Sequence, residues 1–285
     1  MKLAVIVPTW NRSKNLEKTI KCLLAQDVFE THHNVSIYII DDDSQDNTEH
    51  ISRSYPVNYF KHTPHTEWNA SKPRNFGAIL TPVDTDLLYF VDSDVLLPPD
   101  RIRRLIETWE PNPLPNRVMI GPYHFSRNDI DVDAPKWFEK EQQNYDGDIR
   151  WKLFEEHEPI ETNTGLQYAL ACFGGSLAVN RWFFFKAGGF DEEMLSGVED
   201  GDFGLTMWET GAVFSVDRGL LGWHNPHAIH EERVKFIKPC VEKLNKKHNI
   251  DIVHATGGVY RQWGIDWKPP ESWVDQSGYK KEELI

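Results

Sequence analysis

The first 109 residues alternate apolar runs with amphipathic segments four times over, and few folds accept that order. LAVIVP (3–8) is continuously apolar and ends in proline, the mark of a strand buried on both faces. VSIYIIDDDS (35–44), VNYFKH (57–62) and DLLYFVDSD (86–94) read as three more strands. Between and after them, NLEKTIKCLLAQ (15–26), SQDNTEHISRSY (44–55), ASKPRNFGAIL (70–80) and PDRIRRLIETW (99–109) read as helices. Leu16, Ile20, Leu23 and Leu24 share one helical face, with Asn11 or Ser13 as the expected cap. Pro73 falls in the first turn of its helix, where it is tolerated. The β-α alternation predicts a Rossmann-like, mostly parallel α/β sheet flanked by helices. Such sheets bind ligands beyond the carboxyl ends of their strands, and PTWNR, DDDS and DSD would converge there.

The second half is less regular. VMIGPYHF (118–125) reads as one strand, and residues 126–165 as loops and short helices. ACFGGSLAVNRWFFFKAGGF (171–190) combines a strand, a turn and a short helix ended by Gly188 and Gly189. EDGDFGLTMWETG (199–211) reads as a helix closed by Gly211, and 212–227 as a strand running into a histidine-bearing loop. Residues 232–249 look helical but broken at Pro239. The tail 250–285, with Trp263, Trp267 and Trp273, carries no assignable pattern. The expected organisation is one domain over 1–235, its halves (1–115 for nucleotide, 116–235 for acceptor) meeting at PNPLPN (111–116). A helical, Trp-containing extension follows over 236–285.

A net charge of −13 argues against nucleic acid as partner, since phosphate backbones are held by Lys and Arg. Three cysteines without C-x-x-C spacing do not build a disulfide framework. No window approaches the length of a membrane span, and LAVIV is too short for a signal segment. The expectation is a cytoplasmic protein, with peripheral membrane contact left open.

Chemistry concentrates at the strand ends. Asp92 and Asp94 flank Ser93, and on an extended strand they would face the same side. Either they cap the next helix, or a hard divalent cation with oxygen ligands relieves their repulsion. Asp41 ends the second strand and would accept hydrogen bonds from a base or ribose, while Asp43 or Ser44 would cap the following helix. Lys72 and Arg74 at a helix start would meet a diphosphate, or are ordinary surface charge. Glu199, Asp200 and Asp202 supply either a general base or a first turn favoured by the helix dipole. His224 and His227 offer imidazole ligands, although a histidine in such a loop is more often structural or exposed.

Taken in order, PTWNR, DDDS, SKPRNFGAIL, YFVDSD, FGGSLAVNRWFFFKAGGFDE, GVEDGDFG and GWH resemble the nucleotide-sugar glycosyltransferases of the GT-A fold, chiefly family 2. The second half also resembles the galactosyltransferase type of module. The resemblance spans about residues 1–230. It implies a GT-A fold with a smaller acceptor-side subregion. Pro8, Thr9 and Arg12 would line the nucleotide, Asp41 would contact the base or ribose, and Lys72 and Arg74 would lie near base and diphosphate. Asp92, Ser93 and Asp94 match the D-x-D motif. Gly174, Gly175 and Glu199 would border the donor, and Asp200 matches the catalytic base of inverting members. Asp92, Asp94 and His224, with His227 as alternate, would hold Mn²⁺ or Mg²⁺. The implied reaction is metal-dependent, inverting transfer of a hexose or N-acetylhexosamine from a UDP-sugar to a hydroxyl. The acceptor is open among glycan, lipid-linked sugar, protein and small molecule. Two features depart from the pattern: MLSGV stands before the E-D pair, and the Q-x-x-R-W motif of processive synthases is absent. The competing readings are a nucleotidyltransferase and a catalytically inactive sugar-nucleotide-binding module. PTWNRSKN lacks the Gly-rich loop of the first, and the retained D-x-D and E-D pairs speak against the second.

Overall fold

The computed structural model describes residues 1–30, 34–63, 69–111, 113–141, 145–146, 165–195, 197–217, 220–227 and 234–252. Its centre is a seven-stranded sheet. The strands are β1 (Lys2–Thr9), β2 (Asn34–Asp41), β3 (Asn58–Lys61), β4 (Leu87–Val91), β6 (Arg117–Ile120), β9 (Ser176–Asn180) and β10 (Val213–Val216), in the order β10-β6-β9-β4-β1-β2-β3. Every pairing is parallel except those of β9 with β4 and β6. A second, four-stranded sheet runs β5-β11-β7-β8, from β5 (Val95–Leu96), β7 (Tyr123–Ser126), β8 (Tyr145–Asp146) and β11 (Gly222–His224).

The apolar runs are continuous because each strand feeds two cores. In β1, Ala4 and Ile6 enter one cluster, while Leu3, Val5 and Val7 enter the other. In β4, Leu88 and Phe90 go one way and Leu87, Tyr89 and Val91 the other. Helices α1 (Ser13–Leu24) and α4 (Arg101–Trp109) cover one face with Leu16, Ile20, Leu23, Ile102, Leu105 and Ile106. The opposite face takes residues from α3 (Ser71–Leu80), α6 (Leu166–Ala169), α7 (Arg181–Ala187), α8 (Glu199–Glu209) and α9 (Val234–His248). Two short helices, α2 (Thr48–Arg53) and α5 (Trp137–Glu141), complete the set among the described residues. None of the described helices is long and apolar enough to cross a membrane.

Several expectations change. Residues 118–125 are not one strand. Gly121 and Pro122 separate β6 from β7, which lie in different sheets, because proline offers no donor to continue the ladder. Likewise 212–227 divides into β10 and β11 of different sheets. Neither Asn11 nor Ser13 caps α1, whose cap position is Arg12. Asn11 instead sits at φ 50° and accepts from the Gln45 amide at 2.8 Å. Asp43 and Ser44 do not cap α2, which starts only at Thr48; the Thr48 amide donates to Asp46. Helix α9 runs through Pro239 without a break. Pro239 itself is exposed. Trp263, Trp267 and Trp273 lie outside the described residues.

Helix α9 crosses the expected 235/236 boundary and is part of the main core: Ile237, Cys240, Val241 and Leu244 pack with Phe203 and Met194. A buried ionic clasp reinforces it. Asp202 of α8 is 1% exposed and receives Lys247 at 2.9 Å and His248 Nε2 at 2.9 Å. The other ring nitrogen of His248 faces Glu209 at 2.8 Å. Burial lowers the His248 pKa, but Asp202 and Glu209 outweigh it and leave the pKa raised.

Two predictions follow from this packing. A Cβ added at Gly204 would lie 1.9 Å from the Ala169 carbonyl oxygen, so Gly204→Ala is expected to cost at least about 1–3 kcal/mol in urea unfolding. The His248 pKa is raised on folding, so its contribution is full below the unfolded value of about 6.5 and fades as pH rises through the folded one. His248→Gln should therefore destabilise more at pH 5.5 than at pH 9 (about these two values, chosen to bracket that titration). Equal losses at both would remove the imidazolium from the clasp.

Candidate active site

A cavity opens at the carboxyl ends of β1, β2 and β4, closed on its far side by the second sheet and the start of α8. Two loops form one wall. The Asn11 amide donates to Ser44 Oγ at 2.9 Å, and the Ser13 amide to Asp46 at 2.9 Å. Non-glycine residues Asn11 and Asp43 take positive φ there, which Asn and Asp tolerate better than most.

Asp92 and Asp94 both line the cavity but face different partners. The strand ends at Val91, and the Val95 amide donates to the Asp92 carbonyl at 3.0 Å, closing a turn. The same-side geometry of an extended strand is therefore lost. Asp92 goes to Arg74 Nη2 at 2.9 Å. Asp94 goes to the histidines: 3.6 Å from His224 Nε2 and 3.1 Å from His227 Nε2. Pairing of His224 with Val95 across β11 and β5 brings those residues together.

Asp94, His224 and His227 each offer a ligand atom, all within 4.8 Å of one another. Among the described residues this is the one such cluster, and Asp92 is not in it. Burial by itself would raise the Asp94 pKa. His224, His227 and Arg12 outweigh that and hold it at about 2. Asp94 Oδ1 is buried and accepts no hydrogen bond. An ionised carboxylate with an unused oxygen beside two imidazoles is a mixed oxygen–nitrogen donor set that can hold a divalent first-row cation.

Arg74 is the cavity's central cation. Its side chain is 3% exposed and meets Asp92 at 2.9 Å, Asp200 at 3.0 Å and Glu199 at 3.5 Å. Gly174 makes this possible, because a Cβ there would fall 2.5 Å from the Arg74 Cζ and 2.7 Å from Asp200. Gly175 gives similar room to Asp92 and Tyr123. Burial would lower the Arg74 pKa, yet the three carboxylates raise it. Asp200 behaves oppositely. Burial pushes it up, Arg74 pulls it down, and Glu199 and Asp92 push it up again, leaving it at about 7. Its side chain is still 23% exposed, so the group reaches the cavity.

The remaining expected residues divide. Pro8, Thr9, Arg12 and Ser93 line the cavity. Thr9 Oγ1 is buried without a hydrogen-bond partner. Asp41 lies outside the lining: it is fully buried, accepting from the Ser44 amide at 2.9 Å and from Tyr59 at 2.7 Å. The next residue, Asp42, lines the cavity instead and pairs with His62 at 2.8 Å. Lys72 lies outside the lining too. Residues two apart on a helix point about 200° from one another, so Lys72 and Arg74 cannot both face in. Sequence reasoning missed Asp42, Trp10, Asn69, Tyr123, Phe125 and Phe173 as lining residues. Asp42 was visible as a polar residue at a strand end. The aromatics carried no signal that separates them from core.

This doubly wound sheet, with one antiparallel strand and a polar carboxyl edge, is of the GT-A class. The glycosyl transferase family 2 model matches residues 4–171, more than half of the chain, and the protein belongs to that family. Chondroitin synthase of Escherichia coli is 25% identical over 246 residues, which cover 78% of this chain and 34% of that protein. Validoxylamine A glucosyltransferase of Streptomyces hygroscopicus subsp. jinggangensis is 24% identical over 261 residues, 86% of this chain and 61% of that one. The chain thus spans about a third to three-fifths of the length of these two relatives. The S. aureus TarS structure aligns over 100% of this chain and 50% of its own, with a TM-score of 0.66 at 16% identity. TarS 1–349 in complex with UDP-GlcNAc aligns over 97% of this chain and 79% of its own, with a TM-score of 0.65 at 16% identity.

Removing Arg74 tests the arrangement directly. Arg74→Gln should cost roughly 3–5 kcal/mol, because it leaves buried carboxylates unpaired. Those carboxylates would then bind protons more tightly folded than unfolded, so stability falls as pH rises between those values. Denaturation at about pH 5 and pH 8, which bracket the Asp200 value, should show the larger loss at pH 8.

Proposed function

We propose that this chain transfers a hexose or N-acetylhexosamine from a UDP-sugar to an acceptor hydroxyl, with a divalent cation and with inversion. The observation that carries the reading is a single cavity holding a carboxylate poised near neutrality, Asp200, beside the Asp94–His224–His227 donor set. The family supports sugar transfer, and the TarS complex with UDP-GlcNAc supports a UDP-sugar donor. The galactosyltransferase-like reading of the second half rests on the Gly174–Gly175 turn and the Glu199–Asp200 pair, which meet around Arg74.

In this reading Asp94, His224 and His227 would hold Mn²⁺ or Mg²⁺, which would supply Lewis-acid neutralisation of the departing nucleoside diphosphate. Asp200 accepts the proton of the attacking hydroxyl at its carboxylate. Arg74 keeps that carboxylate oriented and ionisable, and Asp92 fixes Arg74 from the other side. Thr9 lines the same cavity. Base assistance of this kind is worth about 10²–10⁴-fold.

A screen of nucleotide sugars for donor hydrolysis, with and without Mn²⁺, is the first test, and release of UDP only in the presence of metal is the expected result. Asp200→Asn should lose about 10²–10⁴-fold in kcat while UDP affinity holds; wild-type turnover would sink the assignment. Because the base works deprotonated, kcat/KM should rise with pH through about 7 and level off above it. Asp94→Ala should weaken Mn²⁺-dependent UDP binding in calorimetry, and unchanged affinity counts against the site.

A further inference from the structure

We infer that the buried Asn225, with Asn15 and Thr19 of α1, is the positioning framework that holds the Asp94–His224–His227 set ready for a cation. This inference rests on the metal-binding reading above and concerns residues outside the donor set itself.

Asn225 lies between the two histidines in sequence and is fully buried. Both hydrogens of its side-chain amide are used, and the amide oxygen is engaged as well. Nδ2 donates to Asn15 Oδ1 at 3.1 Å and to Asp129 Oδ1 at 2.8 Å, and Oδ1 accepts from the Ile130 amide at 2.8 Å. Its backbone amide donates to the Asp94 carbonyl at 2.7 Å. One residue therefore ties the histidine segment to the chain of the third ligand, to α1 and to the loop at 129–130. Asp129 is held in turn by Lys18, which also donates to the Ile130 carbonyl at 2.7 Å.

Thr19 completes the frame. It is fully buried one turn beyond Asn15, so the two share a helical face. Its hydroxyl donates to the Ser93 carbonyl at 3.0 Å, in the turn that carries Asp94. Helix α1 thus grips both halves of the donor set: Thr19 the Asp94 turn, Asn15 the His224–His227 segment. The two halves adjoin separate strands, β5 after Asp94 and β11 ending at His224, whose pairing spans only two residue pairs. So short a ladder fixes little by itself, which gives the α1 contacts their role. Groups that orient metal ligands from outside commonly change affinity by about 10–100-fold when removed.

The test is Mn²⁺ binding, followed by electron paramagnetic resonance of the free aquo ion, with and without UDP. The variants are Asn225→Asp and Thr19→Val, with Asn245→Asp as control. Asn225→Asp keeps the shape but removes both donors and sets a carboxylate beside Asp129. Thr19→Val, the milder change, removes one hydroxyl and keeps the proposal testable if Asn225→Asp does not fold. Asn245 is also buried and accepts from the Ile252 amide at 3.0 Å, while its Nδ2 makes no hydrogen bond, and it lies on α9, away from the donor set. The expected result is about 10–100-fold weaker Mn²⁺ binding in Asn225→Asp, a smaller loss in Thr19→Val and wild-type binding in the control. Wild-type affinity in both Asn225→Asp and Thr19→Val overturns the framework while leaving the metal site standing. Equal weakening in the control makes the effect general destabilisation and also overturns it. A wild-type protein that binds no Mn²⁺ under either condition removes the metal reading and this inference together.

Discussion

The arrangement depends on one guanidinium. Arg74 is enclosed by Asp92, Glu199 and Asp200, which come from the end of a strand and the first turn of a distant helix. One positive charge faces three carboxylates in a place where desolvation is costly. The start of α8 adds its partial positive charge to the same side. The sum falls short of neutralising all three. Burial of Asp200 and the two carboxylates left uncompensated beside it raise its pKa to about 7, while Arg74 stays charged. The raised pKa thus arises first from burial and then from an incomplete ion pair, and the close approach depends on Gly174 having no side chain.

Much of this was legible in the sequence, and the physical reason is the sheet. A strand covered on both faces must be apolar at every position, so β1, β2 and β4 announced themselves, and their order gave the layered fold. What was not legible were places where one residue decides a direction. Gly121–Pro122 splits an apolar run between two sheets. The turn after Val91 sends Asp92 and Asp94 to different partners, although the D-x-D spacing reads as one site. Pro239, an exposed position, lies inside a helix that runs on past it. The DDDS stretch shows the same limit on a finer scale. Asp41 is spent on the fold, satisfied by Tyr59 and the Ser44 amide, and its neighbour Asp42 reaches the cavity. No spacing rule distinguishes two adjacent aspartates; their hydrogen-bond partners do.

The acidic first turn of α8 resolves in a related way. Glu199 and Asp200 meet Arg74, while Asp202, about 200° around the helix from Asp200, meets Lys247 and His248 on the other side. One turn of helix thus builds the cavity with one face and anchors the last described helix with the other. A rotation of α8 that relaxed the crowded carboxylates around Arg74 would pull Asp202 away from its two cations, leaving a buried charge unpaired. The clasp on α9 therefore helps to fix the rotation of α8 that places Glu199 and Asp200 beside Arg74. The two ends of the helix turn respond to protons in opposite senses. The clasp is strongest while His248 is charged, at lower pH, and Asp200 ionises only as pH rises. Lys247, whose pKa is also raised, keeps Asp202 paired after His248 has lost its proton, so the clasp persists through the range in which Asp200 ionises.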